Sequence, residues 1–122
     1  MKYGHAEGGW TYVSSDAHYG HAEGRNTSVF SEAGHAEGMF TQARGNASHA
    51  EGSYTYAAGT GAHAEGINTT ANGEGSHAEG KNTKALGQSS HAEGEGNYAC
   101  GMYSHAEGKD TSANNYAHSE GL

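Results

Sequence analysis

The chain has no proline, one cysteine (Cys100) and only five branched aliphatic residues: Val13, Val29, Ile67, Leu86 and Leu122. The lack of proline excludes a collagen-like triple helix. One cysteine excludes an internal disulfide framework. Five branched aliphatics cannot fill a conventional core, and no apolar run is long enough for a membrane-spanning helix. There is no basic stripe of the kind that tracks nucleic acid, and no signal-peptide pattern begins at Met1-Lys2-Tyr3. With 21 glycines and a formal net charge of −8, composition taken alone points to disorder.

Register points the other way. The tetrapeptide His-Ala-Glu-Gly starts at His5, His21, His35, His49, His63, His77, His91 and His105, and a degenerate copy, His118-Ser119-Glu120-Gly121, follows. From His21 to His105 every interval is 14 residues; the first is 16 and the last 13. A fixed short period marks a solenoid, each repeat forming one coil stacked on the last. Nine of the 14 acids are motif glutamates, and the other five (Asp16, Glu32, Glu74, Glu95, Asp110) are balanced by six bases. The acidity therefore belongs to the repeats. A chain this poor in large apolar groups is expected to offset its ordering entropy by associating with copies of itself.

Each unit divides into two sevens of the form Gly-x-x-Ser/Thr-x-Ala-x. A coiled coil is excluded, because there is no aliphatic seam and a glycine every seven residues costs roughly 1 kcal/mol apiece in a helix. A strand fits. Alternation in Ser-His-Ala-Glu-Gly puts Ser and Ala on one face and His and Glu on the other. Glycine and the two residues after it read as a turn needing positive φ, and Asn26, Asn68, Asn82 and Asp110 fall two residues beyond a motif glycine. Two short strands and two tight turns make one flattened coil, with Ala, Ser, Thr and Gly inside and the Ser/Thr hydroxyls free to serve turn backbone groups.

The outward faces differ. On the second strand the positions matching His are Ser28, Gln42, Tyr56, Thr70, Lys84, Tyr98 and Ser112. Those matching Glu are Phe30, Arg44, Ala58, Asn72, Leu86, Cys100 and Asn114. That face is unselective and reads as solvent-facing, with Cys100 a free outward thiol. The His/Glu face repeats without change, and its simplest partner is the same face of another copy.

The pattern Gly-x-x-Thr-x-Ala-x-Gly-x-x-Ser-His-Ala-Glu resembles the head repeats of YadA-type trimeric autotransporter adhesins. It is more similar still to the HAEG-rich repeats of phage and prophage tail-fibre or appendage proteins. The resemblance covers roughly residues 21 to 121. It implies an all-β, left-handed parallel β-roll with 14-residue coils in a homotrimer, serving as a rigid shaft or head segment of a virion tail or extracellular appendage. Carried over by position, the threefold interface comprises His21, Glu23, His35, Glu37, His49, Glu51, His63, Glu65, His77, Glu79, His91, Glu93, His105 and Glu107. The adhesin strand Ser-Val-Ala-Ile-Gly has Val and Ile at these places, so an apolar interface has become polar here. The adhesins' membrane anchor and stalk have no counterpart in this chain.

Glutamates stacked about 4.8 Å apart would repel in a partly dry interface. A network in which each imidazole donates to a carboxylate of a neighbouring chain resolves that repulsion and needs no cofactor. The alternative is a metal- or pH-responsive module, with His35, His49, His63, His77, His91 and His105 placing Zn²⁺ or Ni²⁺ on the threefold axis. Nine near-equivalent copies without a pocket do not make an active site, and no HExxH, nucleophile-elbow or phosphate-cradling motif is present. The Asn-x-Ser/Thr triplets at Asn26, Asn46 and Asn68 read as turn chemistry. Residues 1–20 read as an irregular, cap-like first coil, 21–117 as regular repeats and 118–122 as a degenerate end. Such a unit suits a shaft segment or a subunit that stacks end to end into a filament.

Overall fold

The computed structural model describes residues 3–121, and these contain no helix. The chain winds as a parallel β-solenoid. The motif strands His5–Gly9, His21–Arg25, His35–Met39, His49–Ser53, His63–Ile67, His77–Ala78, His91–Ala92, His105–Glu107 and His118–Glu120 form a nine-stranded sheet in chain order. The strands Tyr12–Val13, Ser28–Val29, Gln42–Ala43, Tyr56–Ala57, Thr70–Ala71, Lys84–Ala85, Tyr98–Ala99 and Ser112–Ala113 form an eight-stranded sheet behind it. Register is motif on motif throughout: His5 lies beside His21, His49 beside His63, His105 beside His118.

The irregular intervals leave that register intact. Tyr12 and Val13 pair with Ser28 and Val29, so the two extra residues of the first coil fall between Val13 and His21. The residue missing from the last interval falls between Ala113 and His118. Both changes sit in the second turn, where no ladder hydrogen bond is displaced.

The interior is a line of methyl groups. Ala22, Ala36, Ala50, Ala64, Ala78, Ala92 and Ala106 from one sheet meet Val29, Ala43, Ala57, Ala71, Ala85, Ala99 and Ala113 from the other, all essentially buried. Thr27, Thr41, Thr55, Thr69 and Thr83 close one end of this line, and Ser48, Ser76, Ser90 and Ser104 the other. Some hydroxyls serve the backbone as expected: Ser90 donates to the Gly87 carbonyl at 2.7 Å and Thr83 to the Glu79 carbonyl at 3.0 Å. Thr27, Thr41, Ser48, Thr55, Thr69 and Ser76 have no partner. The hydroxyl there occupies a slot whose first requirement is small size.

The two glycine rows exist for different reasons. Gly52, in the motif row, has φ +108°, and an added Cβ would also lie 2.2 Å from the Gly66 carbonyl oxygen. Gly73, in the second row, is not at positive φ, but its Cβ would lie 1.9 Å from the Gly87 oxygen. Close stacking of successive turns fixes that row. The positive φ of the second turn falls two residues later, at Ala33, Ala47, Ser89 and Tyr103. The first turn places Asn26, Asn68, Asn82 and Asp110 there as expected, but also Trp10, Phe40 and Tyr54. A left-handed conformation costs a non-glycine residue roughly 1–2 kcal/mol. It is held by inter-coil hydrogen bonds such as Phe40 N–H to the Arg25 carbonyl and Ala47 N–H to the Glu32 carbonyl, at 2.9 and 2.8 Å.

Candidate functional site

Parallel pairing of identical strands stacks identical side chains at the inter-strand spacing. From His21 to His118 the imidazoles form one column with centroids 4.7–4.8 Å apart and planes within 12° of parallel. His5 breaks it, meeting His21 edge-on at 87°. The glutamates form a second column two residues along each strand. They and the glycines after them line a groove of about 930 Å³ from Glu7 to Gly80, continued by one of about 570 Å³ from Glu79 to Gly121.

One chain brings the two columns together without help from a neighbour. Nε2 of His63 lies 3.6 Å from Oε2 of Glu65 in its own coil and 3.9 Å from Oε1 of Glu51 in the coil before. His77, His91 and His105 repeat the arrangement. The geometry drifts along the shaft. The own-coil contact lengthens from 3.1 Å at His5 to 3.7 Å at His105, while the contact to the preceding coil shortens from 3.9 Å at His63 to 3.1 Å at His118. Each carboxylate from Glu51 to Glu107 thus offers one oxygen to either side. Among the described residues, full hydrogen-bond geometry between the two columns is met only for His5–Glu7, His91–Glu79 and His118–Glu107.

The glutamates are close enough to share protons. Carboxyl hydrogen bonds from Glu65 and Glu37, followed by burial, push Glu51 up to about 7. Glu79 is raised in the same way by Glu65 and Glu93. Glu37, Glu65 and Glu93 lie below the usual carboxylate range because their neighbours hydrogen-bond to them. From Glu37 to Glu93 lowered and raised carboxyls therefore alternate, which relieves the like-charge stack. Burial, then repulsion from adjacent imidazoles, pulls His49 and His77 down.

All the interface and metal-candidate residues expected from sequence, from His21 and Glu23 to His105 and Glu107, thus lie on one face in two straight columns. The opposite sheet carries an irregular surface, with Cys100 exposed. Sequence reading overlooked the order within it. The Arg44 guanidinium lies between Phe30 and Tyr56, 5.0 Å from each ring centroid. Phe40 stacks on Tyr54 at 4.9 Å along one edge. The signal was in the 14-residue spacing of residues 40 and 54. Also overlooked was Asn97, which replaces the inward threonine. It is fully buried, donating to the Gly108 carbonyl and accepting from Thr111 N–H at 2.7 Å.

No protein-family model matches this chain, and no curated protein matches it.

Proposed function

We propose that this chain is a structural module, a rigid left-handed β-roll that trimerises through its His/Glu face and forms a shaft or head segment of a virion tail fibre or extracellular appendage. The observation that carries the reading is the contrast between the two sheets. One presents the same two half-buried side chains in every coil from His21 to Glu107, and the other changes at every coil. A surface repeated at 4.8 Å suits a partner with the same repeat, and a second copy of the chain has it. The resemblance to trimeric head repeats supplies the number three and the handedness. A core made of methyls and small hydroxyls also favours stabilisation by association. Sedimentation equilibrium at micromolar concentration tests the reading and is expected to give three chains. A monomer that stays folded would sink it.

A further inference from the structure

We propose that the His/Glu ladder is a row of divalent transition-metal sites. Each is built within one chain from the Nε2 of one imidazole and the carboxylates of its own coil and the coil before it.

An imidazole nitrogen flanked by carboxylate oxygens needs positive charge between them, either a proton or a cation. Nε2 of His77 lies 3.7 Å from Glu65 Oε1 and 3.8 Å from Glu79 Oε2; for His105 the distances to Glu93 and Glu107 are 3.4 and 3.7 Å. All four separations exceed the roughly 2.7–3.2 Å of an N–H···O bond. The Nε2 atoms of His21, His35, His49, His63, His77 and His105 are buried without a hydrogen-bond partner. A cation held at about 2.0–2.1 Å by the nitrogen and about 2.0–2.2 Å by the oxygen, at a tetrahedral angle, keeps the two donors about 3.4 Å apart. The ladder's 3.1–3.9 Å spans that value.

The carboxylates are placed to link successive sites. Glu65 turns Oε2 to His63 at 3.6 Å and Oε1 to His77 at 3.7 Å. Triads recur at His49-Glu51-His63, His63-Glu65-His77, His77-Glu79-His91 and His105-Glu107-His118, with donor atoms within 4.8 Å of one another. Two parallel rings 4.7–4.8 Å apart cannot both reach one tetrahedral ion without tilting. One imidazole with two carboxylates is therefore the better set. Mixed nitrogen and carboxylate donors select Zn²⁺, Ni²⁺ or Cu²⁺ over Ca²⁺ and Mg²⁺, which take oxygen. Because Nε2 is turned onto its own chain's glutamates, an ion bound through it lies inside one ladder and not on an axis between chains. Ions on adjacent coils share a carboxylate and repel, so the expected filling is on the order of one ion for every two coils.

The test is titration of chelator-stripped protein with Zn²⁺ by calorimetry, with bound metal counted by elemental analysis. Several ions per chain are expected, with micromolar or tighter affinity. The variant Glu65→Gln/Glu79→Gln/Glu93→Gln is expected to lose about half of them, whereas Glu32→Gln/Glu74→Gln in the exposed turns keeps them all. Absence of Zn²⁺ binding overturns the proposal, and so does binding that the ladder variant leaves unchanged, since that requires histidine-only or adventitious sites. If the ladder variant fails to fold, ¹⁵N shifts of the wild-type imidazoles decide: Zn²⁺ must move the Nε2 resonances, and resonances that stay put refute the site. Ions without a trimer would support this proposal and sink the trimeric reading. A trimer without ions would do the reverse.

Discussion

Nε2 of His91 lies 3.4 Å from Oε1 of Glu79, in the coil before it, and 3.7 Å from Oε2 of Glu93, in its own. The inter-coil contact is the shorter one from His77 to His105, so this stretch of the ladder ties successive turns to each other more closely than it ties His to Glu within a strand, whereas at His63 the own-coil contact is the shorter. Removing a carboxylate therefore affects two coils at once.

Replacing His63, Glu65, His77 and Glu79 by alanine is expected to weaken self-association at least about tenfold, equivalent to roughly 1.4 kcal/mol. Alanine at Tyr56, Thr70 and Asn72, on the opposite sheet of the same coils, is expected to leave it unchanged. Sedimentation of both variants checks this. Disruption by the second set with the first silent would reverse the assignment of the faces.

In metal-free protein, stability is expected to peak at mildly acidic pH. Glu51 and Glu79 have raised values, so their contribution is complete below about 4.5 and is lost as pH rises, through about 7 for Glu51. Glu37, Glu65 and Glu93 are lowered, so theirs is present above 4.5 and lost as pH falls through their depressed values. His49 and His77 are also lowered, so theirs is present above 6.5 and lost in acid. Melting curves from pH 4 to 9 in EDTA should show the maximum between these limits. Glu51→Gln/Glu79→Gln, which fixes the neutral form, should flatten the decline above pH 6; an unchanged decline would refute proton sharing.

Gly73→Ala is expected to cost about 3 kcal/mol or more despite an ordinary φ, because its Cβ would overlap the Gly87 carbonyl. Ala47→Gly, at an exposed turn position with φ +54°, is expected to stabilise by up to about 1 kcal/mol. Thermal melts of the two variants should move in opposite directions.

Asn97→Ala is expected to cost roughly 1–3 kcal/mol, since it leaves the Thr111 N–H without its acceptor in the interior. Hydrogen exchange should localise the effect, with faster exchange at Thr111 and little change at Thr69.

The coil was legible in the sequence because its causes are local. Alternation in Ser-His-Ala-Glu-Gly sets which side chains enter the core, and a 14-residue period with recurrent glycine and no aliphatic seam leaves only a stacked strand. Asn97 and Ala47 were not legible. Asn97 sits inside because hydrogen bonds to Gly108 and Thr111 of the next coil satisfy its amide. Ala47 adopts a left-handed turn because its N–H reaches the Glu32 carbonyl, 15 residues back. Both depend on stacking.

The sequence by itself therefore determined the repeat, the methyl-lined interior and the collection of histidine and glutamate on one face, since each follows from alternation and period within a single coil. Only the tertiary structure decided where each imidazole nitrogen points, which coil's carboxylate it meets and why the second glycine row cannot carry a side chain. Those are relationships between coils, fixed by the distance at which one turn rests on the next.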